Sequence, residues 1–484
     1  MSVLAIDAGT SGITALVVTE DGRIDGRGHR EFPQHFPEQG WVEHDPEEIW
    51  RATLEACRAA LESSATVPRC VGITNQRETA VLWDRRTLAA PRRAIVWQDR
   101  RSAEICARLR EHEPRVAELT GLRLDPYFTA TKLTWLAENE PGVWRDGDVM
   151  IGTVDSYLIA RLTGGARHVT DASNASRTLL YDIRAGRWSE ELCELFGVSG
   201  KALPEVVPNF GEIGRTDPEA FLGLELPISG VAGDQQAALF GQLCLSPGDI
   251  KCTYGTGSFI LVNTGSEIIR SKAGLLSTVA WQAPSGELTY ALEGSIFVTG
   301  AAVQWLRDGL GLIDTAAESE RLAREVPDSG GVVFVPALTG LGAPYWAPDA
   351  RGAILGITRG TRAAHLARAT LEAIAFKVRD IVEAIRAEGL ATPVLKVDGG
   401  ASANDLLMQL QADQLGTPVE RPVIQETTAL GAAFLAGLGA GVWSSPDELR
   451  ATWRLDRRFE PRYDDGTAYA RWKRAVELVV GWTG

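Results

Sequence analysis

Two acids in this chain stand where they could do proton and cation chemistry. Asp7 closes the apolar run Val3-Leu4-Ala5-Ile6, and Ala8-Gly9-Thr10-Ser11-Gly12 follow before apolar residues resume at Ile13. An acid at a strand end, followed by glycines and hydroxyls, suits a turn whose backbone N–H groups face an anion while the acid faces a cation. A plain hairpin turn uses the same residue types for their dihedral freedom. Asp234 lies in "ISGVAGDQQAALFGQ", between an apolar run and a helix-forming one. There it reads either as a helix cap or as a general base taking a proton from an attacking hydroxyl.

Three further groups carry chemistry. Arg77 and Glu78 in "GITNQRET" can offer donors and acceptors to one hydroxyl-rich molecule, or form a solvated charge pair. Trp97, Tyr127 and Phe259 supply aromatic surface, for which core packing is the default reading. Asp398-Gly399-Gly400, with Asn404 shortly after, is a Gly-rich turn that lets a backbone or planar ligand approach closely. There is no Gly-x-x-x-x-Gly-Lys-Ser/Thr loop, no His-Glu-x-x-His cluster and no Gly-x-Ser-x-Gly elbow. Two acids, two Gly-Thr turns and a third Gly-rich turn together point to nucleotide phosphates bound between lobes.

The elements that must hold these residues alternate strand and helix along all 484 residues, which predicts an α/β architecture of more than one domain. In "EHDPEEIW", Asp45 can cap, Pro46 suits the first helical position, and Glu47 and Glu48 suit the positive end of the dipole. "CVGITNQRETAVLW" reads as two strands around a polar break. In "AAHLARATLEAIAFKVRDIVEAI", Leu366, Leu371, Ile374, Val378, Ile381, Val382 and Ile385 recur at helical spacing. "LAIDAGTSGITALVV" is echoed by "IKCTYGTGSFILVNT", strand, Gly-Thr turn, strand. That echo suits two similar lobes facing each other across a cleft, and we expect domains over 1–242 and 243–484.

Composition narrows the partners. A net charge of -14 lacks the basic footprint of a nucleic-acid binder. The scattered cysteines, without a Cys-x-x-Cys pair, predict neither disulfide framework nor zinc site, and so a reducing, cytoplasmic setting. No signal-peptide pattern or membrane-length apolar run is present.

The chain resembles the FGGY carbohydrate kinases, and within them the glycerol kinases. "GWVEHDPEEIW", "GITNQRET", "IVWQDRR", "DPYFTATK", "HVTDASNASRT", "GDQQAALFGQ", "YGTGSF", "ALEGSIF", "GLGAPYW" and "VDGGASAN" carry the likeness, in order, from Val3 to about Gly441. The resemblance implies two actin-like, ribonuclease-H-like domains with an interdomain active-site cleft. It implies ATP-dependent phosphorylation of glycerol with Mg²⁺, in a homodimer or homotetramer. On this chain, Arg77, Glu78, Tyr127, Asp234 and Gln235 would bind the polyol, and Trp97 and Phe259 would wall its carbons. Asp234 would be the base and Asp7 would help position Mg²⁺. Thr10, Ser11 and Thr256 would meet the phosphates, and Gly300, Gln304, Gly400 and Asn404 would line the nucleotide site. A kinase of another small polyol such as erythritol or threitol, or an actin-like ATPase with a protein partner, are the alternatives.

The resemblance is weakest at the first turn, where Ala8 and Thr14 stand in place of the family's usual glutamine and arginine. It also departs at Gly223-Leu224-Glu225, an acid where bisphosphate-regulated relatives place a phosphate-binding arginine. Between Gly197 and Gly241 there is no histidine to phosphorylate. The activity is therefore predicted to be insensitive to fructose 1,6-bisphosphate; clear inhibition at millimolar concentration would contradict this.

Overall fold

The computed structural model describes residues 1–144, 148–464 and 466–482. The opening apolar runs pair as antiparallel β1 (Ser2–Ala8) and β2 (Gly12–Thr19), and β2 pairs with β3 (Ile24–Glu31). β4 (Val71–Asn75) lies parallel to β1, and β6 (Pro227–Gly233) parallel to β4, with β5 (Phe210–Arg215) at the edge. This first sheet has six strands in the order β5-β6-β4-β1-β2-β3.

The second sheet repeats the plan. Antiparallel β7 (Ile250–Tyr254), β8 (Ser258–Gly265) and β10 (Leu288–Ile296) continue into parallel β11 (Leu395–Asp398) and β12 (Val419–Pro422). β9 (Leu276–Gln282) and β13 (Leu455–Phe459) complete the seven-stranded order β9-β10-β8-β7-β11-β12-β13. In each sheet an antiparallel meander runs into two parallel strands. The sequence echo is thus the first hairpin of each of two like-built sheets, the paired actin-like, ribonuclease-H-like architecture.

The local signals are realised. α1 spans Pro46–Ser63, and Asp45 caps it by accepting the Glu47 N–H at 2.9 Å. α2 (Asp234–Gly241) follows β6 directly, and Asp234 is its first helical residue rather than a side-chain cap. α3 spans Ala363–Ala387, with Leu371, Ile374, Val378, Ile381, Val382 and Ile385 buried and Leu366 partly so. Among the described residues no helix is long and apolar enough to cross a membrane, and all six cysteines are free.

α4 (Thr427–Gly439) follows β12 of the second sheet yet packs on the first. Its Ala429, Ala432, Ala433 and Ala436 cover Val3, Ala5, Leu16 and Val18. Glycines permit the approach: a Cβ on Gly72 of β4 would stand 2.2 Å from the Ala432 carbonyl oxygen, and one on Gly431 would stand 1.8 Å from that of Ala237 in α2. Gly72→Ala should therefore lower the unfolding free energy by about 1–3 kcal/mol, as expected for overpacking. Thermal unfolding of the variant tests this, and an unchanged midpoint would show that α4 is not held against the sheet here.

Candidate active site

Parallel strands place the chemistry. β1, β4 and β6 end side by side, with Asp7 opposite Thr74 and Gly233 opposite Asn75. Asp7, the Gln76-Arg77-Glu78 segment and Asp234 are therefore delivered to one end of the first sheet. In the second sheet β7 and β11 end together, Thr253 beside Asp398, which brings Thr256 and Gly400 to one end as well. Carboxyl ends of parallel strands are where open α/β sheets bind ligands.

Arg77 is the hub. Its Nη1 donates to Glu293 Oε2 at 2.5 Å and Gln236 Oε1 at 3.2 Å. Its Nη2 donates to Glu293 Oε1 at 3.1 Å and the Tyr127 hydroxyl at 3.4 Å, and Nε stands 3.2 Å from Asp234 Oδ1. Glu78 adopts φ +62°, a left-handed conformation that persists only where its surroundings hold it. Its carboxylate accepts Arg177 Nε at 2.7 Å, and its carbonyl accepts the Thr129 hydroxyl at 3.1 Å. Arg177 also donates to Glu293 Oε1 at 3.0 Å. Burial opposes the Glu293 charge, but Arg177 and Arg77 hold its carboxyl down to about 2. Burial pushes the Asp234 carboxyl above its ordinary value, with Arg77 and Lys251 pulling the other way. A raised, partly exposed carboxylate is one that can take up a proton, as a general base must.

The rings close over this cluster. Trp97 lies edge-on to Tyr127 at 5.7 Å and to Phe259 at 6.2 Å, and Arg77 lies 5.8 Å from the Phe259 ring. Asp234 Oδ1 accepts the Gln235 N–H at 2.7 Å, and Gln235 Oε1 accepts Lys251 Nζ at 2.6 Å. The structure thus brings together Arg77, Glu78, Trp97, Tyr127, Asp234, Gln235 and Phe259, with donors, acceptors and an apolar wall for a short polyhydroxy chain.

The first turn is tied to that wall. Gln76 Nε2 donates to the Gly9 carbonyl at 3.1 Å and Gln76 Oε1 accepts the Thr79 hydroxyl at 2.8 Å. Thr79 Oγ1 accepts the Trp97 N–H at 3.2 Å, and the Trp97 indole donates to Thr10 Oγ1 at 2.9 Å. Ser11 is exposed beside it. Burial and the neighbouring Asp234 raise the Asp7 carboxyl to about 7. Two carboxylates that oppose each other's charge are oxygen ligands of the kind a hard divalent ion takes. Among the described residues no cluster of His, Cys, Asp or Glu could by itself enclose a metal. A Mg²⁺ ion keeps water and takes oxygens from phosphates, so a site for it would need only one or two protein carboxylates.

In the second turn, Gly300 N–H donates to the Gly255 carbonyl at 3.0 Å, and Thr299 and Ala301 N–H donate to that of Thr256 at 2.9 and 3.1 Å. The turn's oxygens are thereby engaged inside the fold. A Cβ on Gly300 would stand 2.6 Å from the Gly255 oxygen, so close approach explains that glycine. Gln304 and Gly400 are exposed; Asn404 Oδ1 caps the following helix by accepting the Leu407 N–H at 2.9 Å. Gln304, Gly400 and Asn404 lie outside the hydrogen-bonded Arg77 cluster.

Arg177, Glu293 and Lys251 were not singled out by the sequence reading, although "HVTDASNASRT" and "ALEGSIF" contain the first two. The available signal was a charged residue in an otherwise small or apolar stretch. Because Glu293 is fully buried between two arginines, Glu293→Gln should cost roughly 3–5 kcal/mol of stability, the scale for breaking a buried pair from one side. Urea unfolding checks this; a loss below about 1 kcal/mol would mean that the pair is not desolvated as described.

Comparison with known proteins agrees with this geometry. Residues 2–241 match the N-terminal domain of the FGGY family of carbohydrate kinases, and residues 250–440 its C-terminal domain. The chain is 54% identical to a glycerol kinase of Methylobacterium nodulans, covering 99% of this chain and 98% of that protein. It is 51% identical to glycerol kinase 2 of Thermotoga maritima, covering 99% of each. The crystal structure of Plasmodium falciparum glycerol kinase with ADP superposes with a TM-score of 0.90 at 36% identity, over 99% of this chain and 98% of that one. With two like-built sheets, their turns and a polyol-type cluster between them, the chain belongs to the FGGY family of carbohydrate kinases.

Proposed function

We propose that this protein transfers the γ-phosphoryl group of ATP to a terminal hydroxyl of glycerol, forming sn-glycerol 3-phosphate. The observation that supports this most is the convergence of Arg77, Glu78, Tyr127 and Asp234 beneath the Trp97–Phe259 wall, in a chain whose full-length relatives at 51–54% identity carry the name glycerol kinase.

Asp234 accepts the proton of the attacking hydroxyl as its oxygen bonds to the γ-phosphorus and the bond to ADP breaks. Arg77 and Glu78 hold the remaining hydroxyls, so that an acceptor lacking one leaves a buried polar group unpaired, at about 1–3 kcal/mol. The Gly9–Gly12 and Gly255–Gly257 turns, with Thr10, Ser11 and Thr256, receive the phosphates from the two sheets. Gly300, Gln304, Gly400 and Asn404 line the remainder of the nucleotide site. Asp7 would hold Mg²⁺, which when bound offsets charge on the phosphates. Apposition of the two sheets excludes water, the competing acceptor.

ADP release from MgATP, compared across glycerol, erythritol, threitol, xylitol, dihydroxyacetone and no acceptor, tests this reading. Turnover with glycerol in preference to the others is expected. Preference for a longer polyol would move the substrate but keep the mechanism, and acceptor-independent turnover would favour an ATPase. Asp234→Asn should lower kcat by roughly 10²–10⁴; transfer at the wild-type rate would remove Asp234 from the role of base.

A further inference from the structure

The cross-strand row that begins at Asp7 does not stop at Thr14. Thr14 on β2 is paired with His29 on β3, and directly paired residues place their side chains on the same face of a sheet. Asp7, Thr14 and His29 therefore lie in one line across the first sheet. The Thr14 hydroxyl and His29 Nδ1 are 3.0 Å apart.

The imidazole also rests against the first turn. A Cβ added to Gly12 would stand 3.1 Å from His29 Cε1, so the ring occupies the space a side chain at Gly12 would need. When Nδ1 accepts the Thr14 hydroxyl hydrogen, the ring's own hydrogen sits on Nε2. Among the described residues that nitrogen has no hydrogen-bond partner, and His29 is exposed. The flanking cations are committed elsewhere. Arg27 pairs with Glu426 at 2.5 Å, and Arg30, one residue on, has its Nε 3.3 Å from Glu55 of α1. Glu31 lies opposite Gly12. Thr14, the position at which the resemblance leads one to expect an arginine, instead turns its hydroxyl to this ring.

We propose that His29 is a ligand of the nucleotide's phosphates, its Nε2–H donating to a phosphate oxygen held at the Gly9–Gly12 turn. The inference deepens the kinase reading above and rests on it. It assigns to a histidine on the neighbouring strand the donor that the turn's own sequence lacks. Thr14 has a positioning part, fixing the ring by its hydroxyl.

Three variants and one spectroscopic readout test the assignment. His29→Ala should raise KM for MgATP and Kd for ADP about three- to tenfold, the scale of one hydrogen bond. KM for glycerol and the thermal midpoint should stay unchanged, because the ring is exposed and outside the polyol cluster. His29→Arg should recover nucleotide affinity. In the wild-type protein, the His29 Nε2 NMR resonance, identified by its disappearance in His29→Gln, should shift on titration with ADP. A wild-type enzyme that transfers phosphate to glycerol, with His29→Ala binding ADP equally well or the resonance unmoved, would overturn the His29 assignment alone. Equal loss of glycerol and nucleotide affinity in His29→Ala would also overturn it, as a general distortion of the cleft. A wild-type protein that neither binds ADP nor turns over would overturn the kinase reading and this inference together.

Discussion

Arg77 reaches Glu293 across the gap between the two sheets, and the cleft is organised around that contact. The arginine follows β4 of the first sheet; the acid projects from β10 of the second. Both are buried, so neither charge can be left alone without a large desolvation cost. The guanidinium is thereby oriented before any ligand arrives, with its Nη atoms turned to Glu293, Gln236 and Tyr127 and its Nε toward Asp234. On the proposed function, a substrate hydroxyl entering here would exchange with weak contacts, such as the 3.4 Å Tyr127 interaction, while the strong bidentate pair stays in place. Orientation is preserved while the donors are shared, which is what preorganisation requires.

The Arg77 cluster and the first turn are also joined physically. From the Gly9 carbonyl the hydrogen-bond path runs through Gln76, Thr79 and Trp97 and returns to the Thr10 hydroxyl. The Trp97 ring is therefore fastened to the Gly9–Gly12 turn. Displacement of one disturbs the other without any long-range pathway.

Much of the fold was legible because its signals are local. Asp45-Pro46-Glu47-Glu48 announces α1 by capping chemistry alone, and the apolar stripe of α3 needs only its period. The residues of the Arg77 cluster were legible as far as they lie in contiguous motifs. Arg177 and Glu293 were not, because their roles exist only when segments around residues 77, 177 and 293 converge. Within "LTYALEGSI", Glu293 has the look of a solvent-facing residue of an alternating strand, yet nearly the whole strand is buried. Asn404 shows the opposite case: its place at a helix start was visible, and its side-chain oxygen is engaged as a cap. The His29–Thr14 pairing depended on the register of β2 against β3, and a shift of one residue would have put the ring on the other face.

The docking of α4 on the first sheet bears on how the protein is made. Strands β1 to β6 are complete by Gly233, but the face formed by Val3, Ala5, Leu16 and Val18 is covered by a helix that ends at Gly439. During synthesis that apolar face emerges some two hundred residues before its cover. The N-terminal half must wait, with an uncovered sheet, for nearly the whole chain to leave the ribosome. α4, coming from the C-terminal half, joins the two halves into one unit, completed from the C-terminal side.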